Sequence, residues 1–305
     1  MRIVFMGTPS FAVPSLRRLT EDGHEVVLAV TQADKPVGRR QILTPSPVKA
    51  CALELGIPVF QPEKLRTEEA YETLRQAQAD VFAVVAYGKI LPQRILDLPR
   101  YGCINVHGSL LPKYRGAAPI QWAVIHGEAE TGVMTMRMDA GLDTGDIYLT
   151  HRRPIPPDMT GGELYDALSG DGAALLSETL RELEAGTLRA VPQEGESTYA
   201  PLLDRSLSPL DFGCPAQELH NRIRGLNPWP AASCVCEGKR LKVFGSRVGG
   251  KTDRPAGTVV SQPLGVACGD GTVLEITELQ AEGSRRMTAE EFCRGHAIAV
   301  GTLLT

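Results

Sequence analysis

"DVFAVVA", residues 80–86, decides the fold. It is apolar without interruption after its first residue, and rich in β-branched valine. A strand with one wet face alternates apolar and polar residues, whereas a strand buried on both faces reads as one apolar run. Such a strand belongs inside a parallel sheet with helices packed on both sides. The neighbouring segments agree. "RIVFM" (2–6) is a short apolar run ending in the turn Gly7-Thr8-Pro9-Ser10. Phe11 to Asp22 reads as a helix, with Pro14 near its start and Ala12, Leu16 and Leu19 on one face. "EVVLAV" (25–30) is a further strand, and Ser46-Pro47 is an N-cap and first-turn pair for a helix through Leu55. "GCINV" (102–106) and "TGVMTMRM" (131–138) continue the series. Strands alternating with helices predict an α/β fold with a doubly wound, mostly parallel sheet and right-handed crossovers.

The pattern changes further on. Thr160-Gly161-Gly162-Glu163 is a capping box opening a helix to about Ala185. The stretch from about 187 to 210, with Pro192, Pro201 and Pro209, reads as a linker. Residues 215–225 form a short helix. Strand-sized runs such as "RLKVF", "GTVVS" and "TVLEI" then follow between glycine turns, and Thr288 to Glu291 caps a last helix. Short strands at that spacing predict a small β-barrel or sandwich. The expected division is 1–188, a linker at 189–209, and 210–305.

Composition narrows the class. With 43% apolar and 22% charged residues the chain is an ordinary globular protein. No apolar run approaches the roughly 20 residues that span a bilayer, so a cytoplasmic enzyme without membrane attachment is expected. Net charge is −4, against a bulk nucleic-acid binder, although residues 206–305 hold 11 Lys+Arg against 10 Asp+Glu. Seven scattered cysteines suit a reducing compartment and no disulfide framework. Cys234 and Cys236 alone lie close together, with no partner to complete a zinc site, so no metal is expected.

The turn after the first strand lacks the G-x-G-x-x-G spacing, which excludes a dinucleotide cofactor. "INVHGSLLPKYRG" (104–116) is more informative. Side chains alternate along a strand, so Asn105 and His107 share one face. Ligands of open α/β sheets sit beyond the carboxyl ends of strands, where these two lie. Asp143 in "DAGLDTGDI" (139–147) follows the next strand and faces the same crevice. A carboxylate orients an imidazole, and an amide with an imidazolium makes a donor pair for a developing oxyanion. That set suits attack of an amine on a carbonyl carbon. No serine or cysteine elbow points to an acyl-enzyme. Asp143-Thr144-Gly145 also matches the aspartic-protease triplet, but it occurs once and in an α/β context. The loop "ADKPVGRRQILTPSPVK" (33–49) carries Lys35, Arg39, Arg40 and Lys49, a basic clamp suited to a phosphate backbone.

"GTPSFAVPSL", "TPSPVK", "GIPVFQPEKL", "AYGKILP", "INVHGSLLPKYRGAAPIQWAVIHGE", "MDAGLDTGDI", "TYAP" and "IRGLNPWPAA" together resemble the methionyl-tRNA formyltransferase family. The resemblance implies a Rossmann-like formyltransferase domain followed by a C-terminal barrel of the oligonucleotide-binding type. It implies transfer of the formyl group of 10-formyltetrahydrofolate, a co-substrate, to the amino group of methionyl-initiator tRNA in the bacterial cytoplasm. It gives Asn105, His107 and Asp143 as the catalytic set, and Ser109, Leu110, Leu111 and Pro112 as folate contacts. The strand end at Tyr87 and Gly88 is expected to line the same pocket. Arg39, Arg40 and Lys49, with Arg222 and Arg224 and the barrel's Lys239, Arg240 and Lys242, are the expected tRNA contacts of a monomer. The chain departs from the family where Arg40-Gln41-Ile42 replaces Gly-Lys-Lys, and where Leu202 replaces a common lysine. An enzyme formylating an amino-sugar nucleotide, a glycinamide-ribonucleotide transferase and a non-catalytic folate or RNA module are the alternatives.

Overall fold

A computed structural model describes residues 1–38 and 40–305. The elements run β1 (Arg2–Gly7), α1 (Val13–Glu21), β2 (Glu25–Val30), β3 (Lys35–Val37), β4 (Ile42–Thr44), α2 (Pro47–Glu54), β5 (Val59–Phe60), α3 (Glu68–Gln76), β6 (Val81–Val85), α4 (Gln93–Leu96) and β7 (Cys103–His107). They continue with β8 (Arg115–Gly116), α5 (Pro119–Ile125), β9 (Glu130–Arg137), β10 (Ile147–Pro154), α6 (Gly161–Ala185) and β11 (Tyr199–Ala200). The last stretch holds α7 (Ala216–Gly225), β12 (Ala232–Cys236), β13 (Lys239–Lys251), β14 (Val259–Ser261), β15 (Gly265–Ala267), β16 (Thr272–Ala281), β17 (Met287–Thr288) and α8 (Ala289–Gly295). Two compact units result. The first is Met1–Pro119, Thr131–Arg153 and Tyr165–Ala200; the second is Ile120–Glu130, Pro154–Leu164 and Pro201–Thr305.

The first unit is built on a seven-stranded sheet in the order β10-β9-β7-β6-β1-β2-β5. Every residue of β6 is buried. Pairing is parallel from β5 through β2, β1 and β6 to β7. Phe82 and Val84 pack with Val4, Met6 and Val30 of the sheet, and with Leu74, Ile95 and Leu96 of α3 and α4. Each side chain of that size contributes about 2 kcal/mol on burial. Gly7 closes β1 tightly: a Cβ there would stand 2.8 Å from the Ala12 Cβ and 3.0 Å from the Val85 carbonyl oxygen. Local chemistry places the helices as expected, since the Ser46 hydroxyl accepts the Lys49 amide at 3.1 Å and caps α2.

Three expectations are corrected. First, β9 (within 131–138) runs antiparallel to β7, pairing Ile104 with Arg137 and His107 with Met134. A parallel return needs a crossover along the sheet, but most of α5, the helix between these strands, belongs to the second unit. Second, residues 33–49 hold a hairpin: β3 and β4 pair Lys35 with Thr44 and Pro36 with Leu43. Ile42 and Leu43 stand 60% and 66% exposed on it. Third, the supposed linker is tied down as far as Ala200. Val191 exchanges two 2.8 Å backbone bonds with Ile147, and β11 pairs in parallel with β8.

In the second unit an antiparallel sheet runs β12-β13-β16-β15-β14. The last residues join its two edges, Leu304 bridging Cys236 and Leu303 bridging Thr258. The sheet thereby closes into a small barrel, which removes open strand edges. Cys234 and Cys236 are buried in it, and burial pushes the Cys234 thiol up to about 12, so it stays protonated.

Candidate active site

Asn105 and His107 lie on β7 two residues apart, opposite Met136 and Met134 of β9. Among the described residues none hydrogen-bonds the Asn105 carboxamide, which is partly exposed and free to donate. His107 is buried and doubly constrained. Its Nε2 lies 2.9 Å from the Tyr114 carbonyl oxygen. A carbonyl only accepts, so Nε2 carries the ring proton and Nδ1 is the working edge. Nδ1 faces Asp143 Oδ1 at 3.7 Å.

The route by which Asp143 arrives differs from the strand-end argument. Because β9 is antiparallel, its carboxyl end lies beside Ile104, at the far end of β7 from His107. The loop after β9 brings Asp143 back. Within that loop Asp139 Oδ1 accepts the Gly141 amide at 3.0 Å and the Thr144 hydroxyl at 2.7 Å. Asp143 has φ +52°, the left-handed region that Asp tolerates better than most residues. Its Oδ2 accepts the Gly116 amide at 2.8 Å. Thr198 supports the facing segment, its hydroxyl accepting the Tyr114 amide at 2.8 Å and its carbonyl the Arg115 amide at 2.8 Å.

The expected folate contacts divide by accessibility. Ser109, Leu111 and Pro112 are buried, and the Ser109 hydroxyl donates to the Lys113 carbonyl at 2.7 Å. Leu111 packs with Met134 and Met136, while Leu110 is only partly covered. What this turn offers a ligand is therefore its backbone and Leu110. The Tyr87 side chain is 2% exposed and sits in the core; its hydroxyl has no partner among the described residues, and burial pushes it up to about 12. Only the Tyr87 backbone reaches the strand end, where its carbonyl accepts from the Thr8 hydroxyl and the Gln32 amide, each at 3.0 Å. Gly88 is exposed beside it.

The basic residues divide likewise. Arg39 lies outside the described residues, and Arg40 is exposed. The Lys49 ammonium is engaged by Asp34 at 2.7 Å and Gln61 at 2.8 Å. That bond, followed by one from Gln61, holds the Asp34 carboxyl below its ordinary value. Arg222 donates to the Leu207 carbonyl at 3.0 Å and keeps part of its surface. Arg224 is 6% exposed, its guanidinium bonded to Asn221 Oδ1 and the Met159 carbonyl. Burial lowers its pKa and leaves no surface for a phosphate. Sequence reasoning missed Tyr114, Gly116, Gln193 and Thr198 as parts of the site; only "TYAP" and "KYRG" marked their neighbourhood.

Comparison with known proteins gives the class. The family description "Formyl transferase" fits residues 1–180, and "Formyl transferase, C-terminal domain" fits residues 203–297, so the chain belongs to the formyl transferase family. Methionyl-tRNA formyltransferases of Acetivibrio thermocellus and Lachnospira eligens are 48% and 49% identical to it, each over 100% of this chain and 99% of their own. Among solved structures, the N-formyltransferase from Helicobacter canadensis, crystallised with folinic acid and dTDP-3-aminofucose, matches with TM-score 0.68 at 22% identity, covering 92% of this chain and 98% of that one. HypX from Aquifex aeolicus, in complex with tetrahydrofolic acid, matches with TM-score 0.65 at 18% identity, over 96% of this chain and 47% of that one. At these identities the likeness is one of fold.

Proposed function

We propose that this chain transfers the formyl group of 10-formyltetrahydrofolate to the α-amino group of methionyl-initiator tRNA, making formylmethionyl-tRNA for translation initiation. One observation carries the chemistry: a free carboxamide and a tautomer-fixed imidazole share one strand face, and a carboxylate is held beside the imidazole. The full-length match to enzymes of that name supports the acceptor.

The neutral amine attacks the formyl carbon. The bond from that carbon to the folate nitrogen breaks, and the proton lost by the amine ends on the departing nitrogen. Charge develops on the formyl oxygen, and the Asn105 N–H donates to it. His107 acts through Nδ1, donating to the oxyanion when protonated and taking up the amine proton when not. Asp143 stabilises the protonated ring and keeps it aligned. Residues 1–188 are read as the catalytic part and 210–305 as a tRNA-contacting part, acting as a monomer in the bacterial cytoplasm. Arg40, Lys239, Arg240 and Lys242, which are exposed, and Arg222, which is half-buried, are read as the tRNA contacts. Among the described residues no helix is long and apolar enough to cross a membrane.

The test is formyl transfer to methionyl-initiator tRNA beside an amino-sugar nucleotide acceptor, with Asn105→Ala and Asp143→Asn as controls. Formylation of the tRNA, with each variant lowered roughly 100-fold, is expected. Formylation of the sugar alone would remove the tRNA acceptor and leave the chemistry standing.

A further inference from the structure

We infer that Gln193 is a positioning residue that holds the Asp143 loop in its working conformation. Its Nε2 donates two hydrogen bonds, to the Asp143 and Gly145 carbonyl oxygens, each at 2.8 Å. Both amide protons are thereby used on the carbonyls of the two residues flanking Thr144. Its Oε1 accepts from an Arg115 terminal nitrogen at 2.7 Å. Arg115 is covalently followed by Gly116, whose amide holds the Asp143 carboxylate at 2.8 Å. These bonds form a closed ring: Arg115 to Gln193, Gln193 to the Asp143 main chain, the Asp143 side chain to Gly116, and back along the chain.

The loop needs such a ring. Asp139 to Leu142 and Thr144 are exposed, so little apolar packing restrains them. Asp143 sits at φ +52°, a conformation that persists where surrounding structure over-determines it. Gln193 is itself fixed, since the Val191–Ile147 bridge lies two residues before it and the Thr198 bonds to Tyr114 and Arg115 lie beyond it. The segment expected to be a passive linker thus carries the amide that sets where the carboxylate beside His107 points. The inference rests on Asp143 serving His107.

The test compares Gln193→Ala, Gln193→Glu, Asp143→Asn and the Asp143→Asn/Gln193→Ala pair in the full-length enzyme, with melting temperature measured for each. A misplaced carboxylate is expected to lower kcat by roughly 10- to 100-fold. KM for the formyl donor and for methionyl-tRNA should stay within about twofold. Gln193→Glu keeps an oxygen for Arg115 but has no N–H for the loop, and it should lose as much as Gln193→Ala. The pair should be no slower than Asp143→Asn alone, since coupled residues are not additive. Full activity in Gln193→Glu, or losses that multiply in the pair, would overturn the inference. Asp143→Asn alone reports on the underlying reading. If it keeps full activity both fall, and if it loses activity while both Gln193 variants keep theirs, only the clamp falls.

Discussion

Asp143 accepts the Gly116 amide proton through Oδ2 at 2.8 Å, and this bond leaves Oδ1 facing the His107 ring at 3.7 Å. One carboxylate is thus divided between a backbone anchor and an imidazole. The anchor works because the chain at Gly116 runs at φ +117°, and because a Cβ there would meet the Ala200 carbonyl oxygen at 2.7 Å.

Gly116→Ala is therefore expected to move the amide away from Asp143 as well as to strain the β8–β11 pairing. Left-handed backbone in an L residue costs about 1–3 kcal/mol, and the contact with Ala200 adds to it. A lowered melting temperature together with a fall in kcat is the expected result. A variant that melts normally and turns over normally would show that Asp143 does not depend on this amide.

Tyr87 tests the boundary of the proposed folate pocket. Its hydroxyl is buried without a partner among the described residues, a situation that costs about 1–3 kcal/mol. Tyr87→Phe removes the unsatisfied group and leaves the ring in its core position. We expect a melting temperature raised by a few degrees and an unchanged KM for the formyl donor. A marked rise in that KM would put the hydroxyl at the ligand after all.

What could be read in the sequence was what is local. The Ser46 cap, the Thr288–Glu291 capping box and the uninterrupted apolar run of β6 are decided by residues within a few positions of one another, and all three stand as expected. Asn105 and His107 share a face because a strand alternates. The direction of β9 was not legible, since it depends on where α5 goes rather than on the composition of either strand. Arg224 illustrates the same limit: its charge reads as surface, yet the partners that bury it, Met159 and Asn221, include one 65 residues away. Gln193 lay in a proline-flanked stretch with no periodicity, and only its three-dimensional neighbours distinguish it.

The Lys49–Asp34 pair should appear in the acid stability of the fold. The Asp34 carboxyl is held below its ordinary value of 3.8, first by its bond from Lys49 and then by that from Gln61. A carboxyl whose folded pKa is depressed stabilises the fold above its unfolded pKa, and that contribution is lost as pH falls through the folded one. The melting temperature of the intact chain should therefore exceed that of Asp34→Asn at pH 5 to 7. The gap should close progressively as the pH drops below about 3.8. A gap independent of pH would mean that the carboxylate charge contributes nothing there.

Arg40 and Arg224 separate surface charge from buried charge. Arg40 is exposed beside the β3–β4 hairpin, whereas Arg224 has its guanidinium on Asn221 and the Met159 carbonyl. A side chain that contacts a phosphate contributes to the salt dependence of tRNA affinity, and losing it reduces the slope of log K against log salt by about 1. Arg40→Ala is expected to do this with no change in melting temperature. Arg224→Met should leave the slope intact and destabilise the fold by about 1–3 kcal/mol, because the part-buried Met159 carbonyl loses its guanidinium donor and Asn221 Oδ1 is left with the Gln217 amide alone. Binding of methionyl-initiator tRNA measured across a salt series, with thermal melts of both variants, checks the pair. A shallower slope in Arg224→Met would mean that this guanidinium leaves its buried partners to meet the tRNA.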